Sequence, residues 1–228
     1  MLRKWEELPD FMKTEAVRPY YDILSKKKKA IMVKRVFDIV MAASLLILLS
    51  PVMLVIAIAV KLDSKGEVFF RQERVTQYGK IFKIYKFRTM VKDADKLGSQ
   101  VTTKNDARVT RIGRFLRKYR LDETSQLFNV LSGDMSFVGT RPEVPKYVKR
   151  YTDEMYATLL LPAGVTSEAS IKYKDEEMFL AEAESADDVY VNQVLPKKMK
   201  YNLIFLDKFN VLNDFYVMMH TIRAIGKD

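Results

Sequence analysis

Residues 39–60 read IVMAASLLILLSPVMLVIAIAV and contain no charged side chain. A helix rises about 1.5 Å per residue, so this stretch would reach roughly 33 Å, enough to cross the hydrocarbon core of a bilayer. The core helix of a soluble domain is rarely apolar on every face over such a length. The stretch therefore predicts a membrane-embedded helix around which the rest of the chain is arranged.

The dipeptide Ser50-Pro51 lies in the middle of this stretch. Pro51 lacks a backbone N–H and its ring clashes with the carbonyl of Ile47, so a kink or break is expected there. The hydroxyl of Ser50 is placed to satisfy a freed backbone group. Residues 1–38 carry ten Lys and Arg side chains and residues 61–92 carry nine. Because positive charge favours the cytoplasmic side of a membrane, composition leaves two topologies open, a kinked span and a re-entrant hairpin.

Composition narrows the function classes further. A net charge of +10 and a pI near 9.5 imply an anionic partner, which is membrane lipid, nucleic acid or a phosphorylated substrate. The chain has no cysteine, which excludes thiol nucleophiles and disulfides. Its single histidine, His220, falls in the last apolar helix, and this position argues against Ser-His-Asp hydrolysis.

Periodicity predicts an α/β protein that is mostly helical, with one small domain in residues 61–228. Residues 1–38 read as interfacial helices, or equally as plain amphipathic helices packed on the soluble domain. A short β-hairpin is predicted where the turn Gln77-Tyr78-Gly79 precedes the apolar run Ile81–Phe87. Amphipathic helices are predicted for residues 197–207 and 211–225.

Two groups of basic residues are predicted to bind phosphate. Lys86 and Arg88 are two residues apart along the predicted strand, so they are expected to face the same side and bind one anion together. Residues 108–120 predict a basic amphipathic helix. Because no nucleic-acid motif accompanies this helix and a membrane stretch lies nearby, phosphate in lipid or substrate is the expected partner, and nucleic acid is not.

Asp93-Ala94-Asp95 matches the D-x-D pattern with which many nucleotide-sugar glycosyltransferases hold a metal. It lies in residues 91–97, for which a short helix is predicted, and a solvated acidic turn is the simpler explanation. No glycine-rich strand-loop-helix unit accompanies it, so neither a P-loop nor a dinucleotide fingerprint is present. A conventional membrane-associated glycosyltransferase that uses Asp93 and Asp95 and releases UDP is retained as an alternative function.

Residues 121–133 read LDETSQLFNVLSG and predict a short helix. Asp122 is placed to cap its start, and Gly133 suits the left-handed position at its end. Capping alone would explain the Asp122-Glu123 pair. However, a helix N-terminus also attracts phosphate, and a carboxylate beside Mg²⁺ is a competent nucleophile toward phosphorus.

The order of motifs along the chain is more specific than any one of them. An apolar stretch with Ser-Pro, then KFRTM at residues 86–90, then LDETSQLFNVLSGDMSFVGTRP at residues 121–142 resembles the bacterial monotopic phosphoglycosyl transferases, which are undecaprenyl-phosphate sugar-phosphate transferases. The resemblance implies a re-entrant helix at residues 39–60 broken at Ser50-Pro51. It also implies a catalytic domain on the cytoplasmic face of the bacterial inner membrane.

The resemblance implies roles for individual residues. Asp122 corresponds to the catalytic nucleophile, and Glu123 helps it to hold Mg²⁺. Binding of the UDP-sugar donor and the undecaprenyl phosphate acceptor is expected to involve Lys86, Arg88, Arg117, Gln126, Asp134, Arg141 and Pro142.

The implied reaction transfers a sugar-1-phosphate to undecaprenyl phosphate and releases UMP, through a covalent intermediate on Asp122. Such a reaction is the first membrane step of a surface polysaccharide or glycoconjugate pathway, for example exopolysaccharide or capsule biosynthesis. A non-catalytic membrane scaffold is a second alternative; it explains the basic faces but not the ordered motifs. Anionic membrane lipids are expected partners, and a homodimer is compatible with the sequence.

The chain departs from the family pattern downstream of the dyad. Thr140 replaces the first proline of a Pro-Arg-Pro motif. Ala163 and Ser167 interrupt a Pro-Gly-Ile-Thr-Gly segment, and Asn202 replaces an acidic residue. These changes are expected to affect the choice of sugar or partner rather than the reaction class.

Overall fold

The computed structural model describes residues 2–94, 106–173 and 186–225. The α-helices are α1 (Arg18–Ser25), α2 (Lys28–Asp63), α3 (Arg111–Lys118), α4 (Leu127–Ser132), α5 (Pro145–Val148), α6 (Glu168–Lys172), α7 (Ala186–Val189), α8 (Leu195–Asp207) and α9 (Val211–Ile225). The strands are β1 (Phe69–Val75), β2 (Ile81–Phe87), β3 (Met135–Val138) and β4 (Ala163–Thr166). The prediction of a mostly helical α/β chain is confirmed.

The N-terminal residues pack on the rest of the domain. Leu8, Met12 and Val17 are 3%, 0% and 0% exposed and belong to an apolar cluster with residues 159–161. The segment therefore packs on the domain, and its predicted contact with the membrane interface stays a prediction.

Helix α2 is longer than the apolar stretch at both ends and continues through Ser50-Pro51. The hydroxyl of Ser50 donates to the carbonyl of Ile47 at 2.8 Å, which is the carbonyl that Pro51 leaves without its helical donor. This side-chain bond replaces the missing one, and of the kink or break predicted here the helix shows no break. Within the described residues, α2 is the one helix long and apolar enough to cross a membrane.

Both ends of α2 are attached to the same domain. Near its start, Arg35 donates to two carbonyls at the end of α4, at 2.7 and 3.0 Å, and Asp38 accepts from the amide of Phe137 at 3.3 Å. At its far end, Asp63 accepts from the amide of Ile112 at 3.0 Å. Between these anchors the outward side is apolar and exposed at Ile47, Leu48, Leu54 and Val55.

Two apolar clusters bind α2 to the elements that carry the site. Ala42 is fully buried against Val130 of α4 and the strand β2. Val60 is buried against Phe87 of β2 and Leu116 of α3. The helix therefore supports β2, α3 and α4 together.

The two sheets are small and separate. β1 and β2 form the antiparallel hairpin that the sequence predicts, with Arg71 opposite Tyr85. β3 and β4 form a parallel pair that the sequence analysis does not foresee. Gly139, directly after β3, approaches Gly164 of β4 so closely that a Cβ on Gly164 would lie 2.2 Å from the Gly139 nitrogen.

The helix predictions are partly confirmed. α3 lies within residues 108–120, and α9 has the predicted bounds. Asp93 has φ of 58° and lies in a turn, so residues 91–93 do not begin the predicted helix. Residues 95–97, including Asp95, lie outside the described residues.

Candidate active site

Asp122 and Glu123 lie in a 3₁₀ turn, Leu121–Gln126, that runs directly into α4. Arg120 precedes the turn in a left-handed conformation, with φ of 54°, and redirects the chain as it leaves α3. Asp122 is inside the turn and makes no capping hydrogen bond. The prediction that Asp122 caps a single helix is therefore wrong, because the helical segment starts before it, at Leu121.

Glu123 is held by two cations. Its carboxylate accepts from the Lys86 ammonium at 2.9 Å and from the two terminal nitrogens of Arg141 at 2.6 and 3.3 Å. Its side chain is 12% exposed. Burial alone would raise the pKa of Glu123, but Arg141 and Lys86 outweigh it and hold this pKa well below its usual range. Glu123 is thus a firmly ionised carboxylate.

Asp122 has the opposite surroundings. It is 7% exposed, and within the described residues nothing donates a hydrogen bond to its Oδ1 oxygen. Burial raises the pKa of Asp122 and the charge of Glu123 adds to the rise, while Lys86 and Arg117 oppose it. The two carboxylates of the dyad therefore differ in chemistry, one neutralised by cations and one with an oxygen that no described donor binds.

Gln126 adds a second group without partners to the same turn. It is fully buried, and neither its amide nitrogen nor its amide oxygen meets a hydrogen-bond partner within the described part of the chain. A buried polar group without a partner costs about 1–3 kcal/mol. Such groups are rare in native folds unless a ligand or water completes them, so Asp122 and Gln126 make this turn the candidate binding site.

Arg117 approaches the dyad from α3. Its Nε donates to the hydroxyl of Thr89 at 2.9 Å, and its charge is among those that lower the pKa of Asp122. α3 comes this close because Gly113 has no side chain: a Cβ there would lie 2.0 Å from the carbonyl oxygen of Thr89. The guanidinium of Arg117 is thereby oriented beside Asp122.

Hydrogen bonds from β4 and β1 fix the loop that carries Arg141 and Pro142. The amide of Gly164 in β4 donates to the carbonyl of Thr140 at 2.8 Å. The guanidinium of Arg74 donates to the carbonyl of Pro142 at 3.0 Å, and burial lowers the pKa of Arg74. Arg74 is not among the residues predicted from the sequence, although it lies on a strand of the predicted hairpin.

The structure does not bring Arg88 to the dyad. β2 ends at Phe87, and the Arg88 guanidinium donates to Ser64 and Val60 at the end of α2, at 2.6 to 3.3 Å. The expectation that Lys86 and Arg88 bind one anion together is therefore wrong in this geometry, because the Lys86 ammonium contacts Glu123 while the Arg88 guanidinium is bonded to the end of α2.

Asp134 also lies away from the dyad. Its carboxylate accepts from Lys80 at 2.8 Å and from the Ser132 hydroxyl at 2.9 Å. Lys80 and Lys86 are six residues apart on the hairpin, about 20 Å along a strand. Lys86 contacts Glu123, so Asp134 belongs to the opposite end of β2.

The described residues supply a limited set of metal ligands. They contain no cluster of three or more His, Asp or Glu side chains arranged to hold a metal. Asp122 and Glu123 remain as two adjacent carboxylates, and Asp122 Oδ1 has no described partner. Mg²⁺ is commonly bound by one or two carboxylates together with water and substrate phosphate oxygens, and this pair fits that pattern.

Sequence comparison agrees with the motifs. A sequence model of the family described as bacterial sugar transferase matches residues 29–228. The chain therefore belongs to the bacterial sugar transferase family, and the resemblance seen in the ordered motifs is confirmed.

Individual relatives carry more specific names. The UDP-N-acetylgalactosamine-undecaprenyl-phosphate N-acetylgalactosaminephosphotransferase of Aeromonas hydrophila is 36% identical over 197 residues, which are 85% of this chain and 43% of the relative. The UDP-glucose:undecaprenyl-phosphate glucose-1-phosphate transferase of Klebsiella pneumoniae is 37% identical over 195 residues, which are 83% of this chain and 39% of the relative. The exopolysaccharide production protein PSS of Rhizobium leguminosarum bv. phaseoli is 48% identical over 112 residues, which are 49% of this chain and 56% of the relative. The chain spans about two fifths of the first two relatives.

Proposed function

We propose that this protein transfers a sugar-1-phosphate from a UDP-sugar to undecaprenyl phosphate and releases UMP. The observation that carries the proposal is the dyad: a buried Asp122 with an oxygen that no described group binds, next to a Glu123 held by Lys86 and Arg141. Membership of the sugar transferase family and the names of the relatives support the same reaction class.

The chemistry consists of two substitutions at one phosphorus atom. The Asp122 carboxylate attacks the phosphorus that carries the sugar, the bond to the UMP oxygen breaks, and UMP leaves with the electron pair. A phosphate oxygen of the acceptor lipid then attacks the same phosphorus and displaces the carboxylate. Asp122 is restored, and the product is a sugar linked to the lipid through a diphosphate.

The surrounding residues have separate tasks in this proposal. Lys86 and Arg141 bind donor phosphate oxygens and keep Glu123 in place. Arg117 stabilises negative charge beside Asp122. Gln126 offers an amide to a donor or acceptor oxygen. Mg²⁺, held by Asp122 and Glu123, would neutralise pyrophosphate charge and make UMP a better leaving group.

A donor panel tests this function. The purified protein is incubated with Mg²⁺, undecaprenyl phosphate and each of several UDP-sugars, and the released nucleotide is identified. UMP from at least one donor is the expected result. Release of UDP would instead indicate a conventional glycosyltransferase, and the absence of any nucleotide release across the panel would favour a scaffold.

We also propose that α2 enters and leaves the membrane on one face, bending at Pro51. A span would place its two ends on opposite sides of a hydrocarbon core about 30 Å thick. Arg35 and Asp38 near one end and Asp63 at the other all bind the same domain. The exposed apolar side chains between these anchors suit contact with lipid.

Anionic lipid headgroups have a suitable place where α2 begins. A groove of about 580 Å³ is lined there by Lys27, Ala30, Val33 and residues 208–211, which include Lys208. Basic charge beside an exposed apolar side chain such as Val33 is the arrangement that attracts anionic lipid at a membrane surface. We propose that this groove faces the headgroup layer of the cytoplasmic leaflet.

Cysteine labelling tests the topology, and the chain has no cysteine of its own. Asp10→Cys and Lys65→Cys place one exposed thiol on each side of α2. With both flanks cytoplasmic, an impermeant reagent labels neither in intact cells and both after permeabilisation. Labelling of only one of them from outside would establish a span.

A further inference from the structure

Asn129 connects two parts of the candidate site that are distant in sequence. It is 2% exposed and lies on α4, six residues after Glu123. Its side-chain oxygen accepts from the amide of Tyr85 at 2.8 Å, and its side-chain nitrogen donates to the carbonyl of Lys83 at 3.1 Å. A single amide thus bonds both a donor and an acceptor of the β2 backbone.

These two bonds use the outer edge of a two-stranded sheet. β2 pairs with β1 on one side, with Arg71 opposite Tyr85 and Glu73 opposite Lys83. In an antiparallel pair, the N–H and C=O groups of alternate residues point away from the partner strand. Asn129 therefore bonds to β2 as a third strand would.

The connection sets the position of Lys86 relative to Glu123. Lys86 directly follows Tyr85, and its ammonium reaches Glu123 at 2.9 Å. A shift of β2 by one residue would turn Lys86 to the other face of the strand. The bonds to Asn129 oppose such a shift, because they hold β2 to the helix that continues from the dyad.

α4 is itself fixed at its far end. Arg35 of α2 donates to the carbonyls of Val130 and Leu131, at 2.7 and 3.0 Å. Asn129 is next to these anchored residues, so its amide projects from a segment that α2 holds in place. α2 therefore holds α4 in place, and through Asn129 it also fixes β2 relative to the dyad.

We propose that Asn129 is a positioning residue that fixes Lys86 opposite Glu123 for phosphoryl transfer. The reaction in this inference rests on the proposed function, whereas the placement of Lys86 does not. A displacement of about 1 Å in a positioned group lowers rates by up to about 100-fold, so loss of the Asn129 bonds is expected to act on kcat.

Asn129→Ala in the full chain is the direct test, with Leu206→Ala as a control. Leu206 is 1% exposed and lies in the apolar cluster around the N-terminal segment, so its truncation lowers stability away from β2. Asn129→Ala is expected to lower kcat for UMP release about 10- to 100-fold, and Leu206→Ala less than twofold at a temperature where both are folded.

A double-mutant cycle distinguishes an effect of Asn129 through Lys86 from a general loss of stability. In a Lys86→Met background, Asn129→Ala should change the rate less than twofold, because the group that it positions is already gone. Independent, multiplicative losses would overturn the proposal. If Asn129→Ala does not fold, Asn129→Asp replaces it, since this side chain has the same size and keeps the acceptor for Tyr85 but not the donor to Lys83.

Two measurements without substrate test the positioning role independently of the proposed reaction. In metal-free protein, Asn129→Ala should speed hydrogen exchange at the Tyr85 amide and increase the reactivity of Lys86 toward an amine-selective reagent. Leu206→Ala should change neither. Unchanged exchange and reactivity in Asn129→Ala would overturn the positioning role. If Asn129→Ala causes these changes but the wild-type protein releases no UMP, the proposed reaction is refuted and the positioning role is not.

Discussion

Asp122 and Asp134 lie on either side of α4 and have opposite surroundings. Asp134 has a partner for each carboxylate oxygen, Lys80 and the Ser132 hydroxyl, and its side chain is 20% exposed. Asp122 is less exposed, at 7% for the residue, and no described group bonds its Oδ1. Stability alone would give the more buried carboxylate the more complete set of partners. The reversal agrees with the proposed role of Asp122 at the substrate, and it gives Asp134 contacts within the fold.

The largest expected effect separates these two carboxylates directly. Asp122→Asn should lower the rate of UMP release at least about 1,000-fold, because an amide does not form the acyl-phosphate and loss of a nucleophile has effects of this size or larger. Asp134→Asn should stay within about twofold of wild type, because its contacts hold the far end of the hairpin. Steady-state rates with a competent UDP-sugar measure both.

The comparison would fail in either of two ways. An Asp122→Asn protein with more than a tenth of wild-type activity would remove the nucleophile from the account. An Asp134→Asn protein that is folded but loses activity more than 100-fold would restore Asp134 to the substrate site, as the sequence analysis expects.

The next largest effect is expected for the two cations that contact Glu123, Lys86 and Arg141, compared with Arg88. Lys86→Met and Arg141→Met should each lower kcat/KM for the donor about 100-fold, because both cations contact Glu123 and lie at the dyad. Arg88→Met removes bonds to the end of α2 instead, so its activity loss should be about tenfold or less. A loss for Arg88→Met as large as that for Lys86→Met would place Arg88 at the donor after all.

The smallest effects are in stability, and they have opposite signs at neutral pH. The pKa of Asp122 is raised by burial above the ordinary 3.8, so its protonated form stabilises the fold. This contribution is complete below the unfolded pKa and is lost as the pH rises through the folded one. Asp122→Asn, which is neutral at every pH, should therefore equal or exceed wild type in Tm at pH 7, and this gain should shrink as the pH falls.

Glu123 behaves in the opposite way. Its pKa is held well below the ordinary 4.5, so its contribution is present above the unfolded pKa and is lost as the pH falls through the folded value. Glu123→Gln leaves two cations without their charge partner and should lower stability at pH 7 by about 1.5–3 kcal/mol. The deficit should shrink below about pH 4.5. Thermal melts in EDTA over this range measure both variants, and a Tm gain for Glu123→Gln at pH 7 would contradict the ion-pair account.

The sequence predicts those parts of the fold that local pattern determines. The apolar helix, the hairpin turn at Gln77–Gly79 and α9 follow from periodicity and turn chemistry, and they are found where expected. The dyad was located through motif order, because an Asp-Glu pair at a helix start is by itself ordinary.

Long-range contacts account for what the sequence analysis missed. The parallel pair of β3 and β4 depends on a close passage of Gly139 and Gly164, which no local pattern signals. The Arg88 guanidinium bonds carbonyls at the end of a helix more than 20 residues earlier, a contact that no local pattern signals. α2 is not interrupted at Pro51, where the Ser50 hydroxyl bonds the carbonyl of Ile47.

If Asp122 becomes covalently attached to the sugar phosphate, UMP is released in proportion to the enzyme even without an acceptor. The enzyme, at a concentration fixed by active-site titration, is mixed with Mg²⁺ and a competent UDP-sugar in the absence of any lipid phosphate. We expect a burst that approaches one UMP per wild-type protein, and no burst from Asp122→Asn. UMP release that strictly requires undecaprenyl phosphate, or a burst that persists in Asp122→Asn, would contradict the covalent attachment.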